Sequence, residues 1–266
     1  MSRWLLNTFA TWELGVLIIG AFVALAVAGL LLFRRFAPHL QEGESNDVAG
    51  VILGVLAAIY GIVLAFVIVS LYDDYRQANA DIRTEATALA TVYRDSRGFP
   101  APVRNAVERD IGLYIETATG PEWKSLAHGR ESALAWKRLD RLYSVFEHYE
   151  PKTQSEQVYY SEIVGRLNDL IGDRRERLND AEQGIPPTFE ILLVGGAVLV
   201  LGFTFLFGVR SSRLHAAMTV AVAVLLGFNL LVALVLEYPY SGEVTVSRAP
   251  YGTGNLQVFA HDDTQP

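Results

Sequence analysis

Residues 48–72 read VAGVILGVLAAIYGIVLAFVIVSLY, a stretch without a charged side chain. At a rise of ~1.5 Å per residue, a helix of about 25 apolar residues covers the ~30 Å hydrocarbon core of a membrane. Charged residues become frequent after Tyr72, yet no Gly or Pro occurs between Gly61 and Gly98. The pattern predicts one long helix that crosses a membrane and then continues into water.

Three further apolar stretches are long enough to span a membrane, namely residues 14–33, 191–209 and 214–236. A secretory signal peptide is the rival interpretation of the first, because Ala24-Leu25-Ala26 resembles a cleavage site. The apolar run is longer than a signal core and continues beyond that site. The sequence therefore predicts two pairs of membrane helices, within residues 1–72 and 187–236, and both chain ends on one side.

Most of the charge lies between the second and third spans. Residues 73–186 hold 20 Asp or Glu and 16 Lys or Arg, which is 36 of the 51 charged residues. Apolar residues recur there at helical spacing, and Gly120-Pro121 is expected to end the second helix of this region. We expect an all-α integral membrane protein with a soluble helical bundle inserted between the second and third spans. The polar tail, residues 237–266, is expected to pack briefly at Gly242–Ser247 and then fray.

Composition and motifs disfavour several classes of function. The chain has no cysteine, so disulfides and thiol nucleophiles are excluded. Its charged region is mildly acidic, which argues against a nucleic-acid partner. The five histidines show no metal-binding spacing, and neither a phosphate-binding Gly-rich loop nor a GxSxG elbow occurs. We therefore expect no enzyme, no cofactor and no metal site, and the lipid bilayer as the first partner.

The second span carries two candidate faces. Small residues let helices approach closely in lipid, either within one subunit or between subunits, and they recur at Gly50, Gly54, Ala57 and Gly61. An apolar stripe could line a channel that closes by excluding water, or could contact lipid or the bundle core. Its members are Ile59, Ile62, Phe66 and Val69.

A few polar residues stand out beside these faces. Asp73 and Asp74 follow the second span and form either a solvated collar or a charged ring at a pore mouth. Glu85 interrupts an apolar stripe, so it is either a buried partner of an arginine such as Arg174 or Arg175, or a solvated residue. Asn229 is the only amide deep in a span, and it bonds a neighbouring helix or lines a path.

Several motifs occur together along the chain. They are Asn46-Asp47-Val48-Ala49-Gly50, Tyr60-Gly61-Ile62-Val63-Leu64-Ala65-Phe66, Glu85-Ala86, Pro186, Phe207-Gly208 and Pro239-Tyr240-Ser241-Gly242-Glu243-Val244-Thr245-Val246. In these the chain resembles the bestrophin-like family of bacterial membrane proteins, and more distantly the bestrophins, which are pentameric chloride channels. The resemblance implies a homo-oligomer, a pentamer, in the bacterial inner membrane, with the insert and both termini in the cytoplasm. It also implies an apolar neck that includes Ile62 and Phe66.

Bestrophins clasp calcium with an acidic cluster that follows a Pro-aromatic-Gly segment after the fourth span. Here Glu243 follows that segment without an acidic run behind it, and a calcium site needs several oxygen ligands. Calcium is therefore not expected. The function that we predict is an oligomeric channel for chloride or other small anions. The alternative is a non-conducting scaffold or sensor in which the second helix couples the bilayer to the soluble bundle.

Overall fold

The computed structural model describes residues 2–36 and 46–260, and that part of the chain is helical and has no β-strand. It divides into two compact units. The first contains residues 2–36, 46–73, 184–238 and 242–244, and the second contains residues 74–183, 239–241 and 245–260. The α-helices are α1 (Ser2–Thr8), α2 (Thr11–Phe36), α3 (Asn46–Asp95), α4 (Ala101–Thr117), α5 (Trp123–Leu126), α6 (Ala133–Glu147), α7 (Gln154–Glu182), α8 (Pro187–Phe203) and α9 (Ser212–Glu237).

Four helical stretches in the described part are long and apolar enough to cross a membrane. They are α2, the amino-terminal half of α3, the stretch that contains α8, and α9. Helix α3 runs without a break for 50 residues, as the lack of Gly and Pro after Gly61 predicts, and it ends in a 3₁₀ turn at Ser96–Gly98. The described part of the chain is therefore all-helical and carries four helical stretches suited to a membrane.

Glycines allow the helices of the first unit to pack closely. A Cβ on Gly227 of α9 would lie 3.0 Å from the Ile19 backbone of α2. A Cβ on Gly196 of α8 would lie 2.4 Å from the Tyr60 ring, whose hydroxyl donates to the Leu193 carbonyl at 2.9 Å. Close approach of these helices therefore depends on residues that have no side chain.

The third span begins and ends earlier than expected. Helix α8 starts at Pro187 because proline suits the first helical turn, and it passes at Phe203 into a 3₁₀ turn, Thr204–Leu206. The expected helix to residue 209 is wrong. The backbone of Gly208 instead binds the Asn46 side chain, which accepts from its N–H at 2.8 Å and donates to its carbonyl at 3.0 Å.

The second unit has its own apolar core, to which α3, α4, α6 and α7 all contribute. Gly120-Pro121 does not end the helix there, which corrects the sequence prediction. The chain passes through a π-helical segment, Ala118–Glu122, and directly into α5. The wider turn accommodates Pro121, which lacks an N–H and would clash in a regular α-helix.

The segment after residue 244 packs against this core as well. Val246, Tyr251 and Leu256 are buried, and the Tyr75 hydroxyl donates to the Thr245 carbonyl at 3.1 Å. This segment contains two 3₁₀ turns, Ala249–Gly252 and Gly254–Phe259. The expectation that the tail frays is therefore wrong for residues 248–259, where isolated apolar side chains anchor it without a regular period.

Candidate pore-lining face and buried charge network

The four candidate lining residues of α3 lie on one face of the helix, and all are exposed in the single chain. Ile59, Ile62 and Val69 are more than half exposed, and Phe66 is 73% exposed. The opposite face is buried against α8 and α9 through a second set of side chains, namely Tyr60, Leu64, Val67 and Leu71. Helix α3 thus leaves one continuous apolar stripe uncovered by its own unit.

The small residues of α3 have different surroundings from one another. A Cβ on Gly54 or Gly61 would have no neighbour within 4 Å, and one on Gly50 would approach only the Phe207 ring, at 3.9 Å. Ala57 is partly buried against the core of the first unit. Within the described chain, Gly54 and Gly61 therefore do not mediate a close contact with another helix.

Three polar candidates lie outside the apolar stripe, two just beyond its end on α3 and one on α9. Asp73 follows Val69 by four residues and so continues the same face of α3, and Asp73 and Asp74 are both exposed. Asn229 donates to the Leu225 carbonyl of its own helix at 2.8 Å. The side-chain amide of Asn229 thus finds an acceptor within α9. It needs neither of the expected roles, a bond to a neighbouring helix or a place in a path, to satisfy its donor.

A network of four charged side chains is fully buried in the second unit. Arg177 of α7 binds Glu85 of α3 (Nε to Oε2, 2.6 Å) and Glu122 (3.1 Å). Arg174, one turn away, binds both Glu122 oxygens, with 2.7 Å from its Nη1 atom to Oε2. The Tyr114 hydroxyl donates to Glu85 Oε1 at 2.5 Å. Two carboxylates thus balance two guanidinium groups.

Local helix geometry brings these groups together. Glu122 is the last residue of the π-helical segment, so the wide turn that accommodates Pro121 also sets the position of its carboxylate. Arg174 and Arg177 are three residues apart on α7 and therefore share a face. The network joins α3, α4, α7 and the π-helical segment, so it fixes the extension of α3 within the second unit.

The electrostatics of the network favour the charged forms. Burial alone would raise the pKa of Glu122, but hydrogen bonds from Arg174 and the attraction of Arg177 outweigh it, and the pKa lies below its usual value. Burial would lower the pKa of Arg177, but the attraction of Glu85 raises it well above the ordinary value. Glu122 and Arg177 are therefore charged at neutral pH.

A second acidic group lies between α3 and α7. Desolvation, a hydrogen bond with Asp81 and repulsion by nearby carboxylates raise the pKa of Asp180 to about 7. The pKa of Asp173 is raised to about 6, chiefly by desolvation and then by the charge of Glu85.

No cluster of three or more His, Asp or Glu side chains suited to a metal ion occurs in the described residues.

The sequence predicted part of this network. Glu85 is buried and paired with an arginine, but the partner is Arg177 rather than Arg174 or Arg175. Arg174 instead pairs with Glu122, and Arg175 is exposed. Glu122 and Arg177 were missed. The signal that could have identified Arg177 is the buried stripe of α7, which runs at intervals of three and four residues through Ile163, Leu167, Leu170, Arg174, Arg177 and Ala181.

Comparison with known proteins identifies a family. The sequence model of the Bestrophin-like domain matches residues 20–251, which is most of the chain and includes most of both units. No curated protein and no solved structure matches the sequence.

Proposed function

The chain belongs to the Bestrophin-like family of membrane proteins, and from this premise we propose that it is an oligomeric channel for chloride or other small anions. In this proposal several copies form a ring, a pentamer as in bestrophins, with the α3 helices around a central axis. Ile59, Ile62, Phe66 and Val69 line an apolar neck. The protein has no catalytic role.

The observation that carries the proposal is the uncovered stripe of α3. One face of the helix is buried by helices of its own unit, and the face on the other side presents apolar side chains from Ile59 to Val69. A helix whose buried face packs against its own unit can direct its uncovered face towards a pore axis. Apolar constrictions of this kind control ion flow by excluding water.

Charge near the stripe bears on selectivity. Asp73 and Asp74 would favour cations at that mouth of a pore. The preference for anions is therefore drawn from the family and not from these two carboxylates. The family also supports the bacterial inner membrane as the location, with residues 73–186 and both chain ends in the cytoplasm.

Chloride efflux from vesicles tests the proposal. The wild-type protein is reconstituted beside Phe66→Ala and Phe228→Ala. Phe228 is a matched control, because it is an exposed phenylalanine on α9. Shortening the side chain at the neck should raise efflux several-fold, whereas Phe228→Ala should leave it unchanged. Efflux that is absent from the wild type, or equal in all three proteins, would count against a neck at Phe66.

The alternative function is a scaffold or sensor, and one observation favours it. The buried network anchors a helix that runs for 50 residues from Asn46 to Asp95. Ile82, Ala86 and Leu89 of α3 are buried in the core. A partner protein would therefore have to contact the opposite side, at Arg83 and Thr87. Charge reversal at Arg83 would then abolish partner binding in a protein that carries no flux.

A further inference from the structure

An apolar cavity of about 300 Å³ lies within the first unit, between α2, α8 and α9. Its walls include Leu17, Phe22, Leu193 and Leu230. Its volume is at the lower end of the range for small-molecule sites, which are mostly apolar and hold a few placed polar groups. Neither the channel nor the scaffold proposal uses this cavity.

Glu237, the last residue of α9, lines the cavity and is only 6% exposed. Its carboxylate interacts with the Tyr238 side chain and the Ile185 backbone N–H. Its Oε1 atom is nevertheless buried without a hydrogen-bond partner in the described part of the chain. A buried carboxylate oxygen without a partner is unfavourable, so a donor that entered the cavity would relieve it.

The charges around Glu237 indicate what kind of donor would fit. Glu190 also lines the cavity, and both Glu190 and Arg3 interact electrostatically with Glu237. The Arg3 guanidinium lies over the Tyr238 ring, 4.5 Å from its centre. The carboxyl groups outnumber the guanidinium by two to one, which favours a cationic group. An adjacent guanidinium suits an attached phosphate.

The surroundings of the cavity indicate where its occupant comes from. Leu17 and Val194 line it, and both side chains are about half exposed on helices suited to a membrane. We propose that the cavity binds an aminophospholipid. Part of an acyl chain occupies the apolar walls, the ammonium group donates to Glu237 Oε1, and the phosphate lies towards Arg3. This assignment does not depend on ion conduction.

Thermal unfolding of the full chain in a neutral detergent tests the site. Added phosphatidylethanolamine should raise the midpoint, because a ligand that binds only the folded state stabilises it. Phosphatidylglycerol, which lacks the ammonium group, should raise it much less. In Glu237→Gln, the concentration of phosphatidylethanolamine needed for half of the shift should increase at least ~10-fold, equivalent to ~1.4 kcal/mol of binding.

Two variants complete the design. Asp47→Asn removes an exposed carboxylate from the first turn of α3 and should retain the full shift. Ala21→Phe places a large ring at the cavity wall and should abolish it. The midpoints without added lipid show whether each variant folds. The proposal is overturned if both lipids shift the wild type equally, or if Glu237→Gln or Ala21→Phe responds like the wild type.

Discussion

Arg177 is fully buried, and its charge is tolerated because Glu85 and Glu122 both bind it. Moving an ion from water into a protein interior is unfavourable, and the attraction between partners only offsets that penalty. A complete buried network therefore adds little net stability. Removing one member is a different matter, because it leaves an opposite charge buried without a partner.

Substitution of Arg177 by Gln should therefore be strongly destabilising. We expect a loss of about 3–5 kcal/mol in the free energy of unfolding, since Glu85 would remain buried with reduced compensation. Arg175→Gln is the matched control, because Arg175 is exposed on the same helix, and it should change the value by less than about 0.5 kcal/mol. Denaturant unfolding followed by circular dichroism measures both. Equal losses would contradict a special role of the buried pair.

The carboxyl of Asp180 should make stability depend on pH. Its pKa of about 7 in the folded chain lies above the ordinary aspartate value, because of desolvation first and then Asp81, Glu176 and Asp74. The folded state thus holds a proton that the unfolded state has released, so this stabilisation is present below about pH 4 and is lost as pH rises through about 7. Between these limits, the unfolding midpoint of Asp180→Asn should fall less with pH than that of the wild type. Identical slopes would show that this carboxyl does not titrate there.

Among the elements, α3 is predictable from sequence and α7 only in part. The long α3 follows from an apolar run and the lack of breakers up to Gly98. On α7 the amino-terminal part of the buried stripe is apolar, with Ile163, Leu167 and Leu170, as helical spacing predicts. Because the buried stripe continues into Arg174 and Arg177, hydrophobicity alone could not reveal it.

The π-helical segment shows a different limit of prediction from sequence. Gly120 and Pro121 are each typical of helix ends, so the sequence predicts a stop. The chain continues because the wide turn accommodates Pro121 and because Glu122 gains two buried arginine partners. Such long-range compensation becomes visible only when the partners on α7 are known.

Helix packing in the first unit should depend on Gly196 and not on its neighbour Gly195. A Cβ at position 196 would lie 2.4 Å from the Tyr60 ring, whereas one at position 195 would meet nothing within 4 Å. Gly196→Ala should therefore reduce stability by about 1–3 kcal/mol. Gly195→Ala should be neutral or stabilising by up to ~1 kcal/mol, since alanine favours helices. Thermal unfolding in detergent measures the stability of both variants. If Gly195→Ala were the less stable of the two, this packing would be refuted.

At the scale of the whole molecule, the open glycines on α3 bear on oligomer formation. Gly54 and Gly61 have space around them in the single chain, and small residues allow close helix contact in membranes. Gly61→Leu should therefore shift the detergent-solubilised particle towards smaller oligomers, as measured by light scattering with the detergent contribution subtracted. Gly20→Leu, at an equally open position on α2, should keep the wild-type mass. A monomeric wild type would rule out a central pore.

The family could be recognised from motifs along the chain, but the arrangement of copies depends on contacts that one chain does not contain. The most direct test of the central claim uses the absence of natural cysteine. Ile62→Cys places the sole thiol on the uncovered stripe of α3, and Phe228→Cys places it on α9. In reconstituted vesicles, a charged, water-soluble thiol reagent should block anion flux through Ile62→Cys and leave Phe228→Cys and the wild type unaffected. Flux through Ile62→Cys that persists after complete labelling would contradict a pore lined by α3.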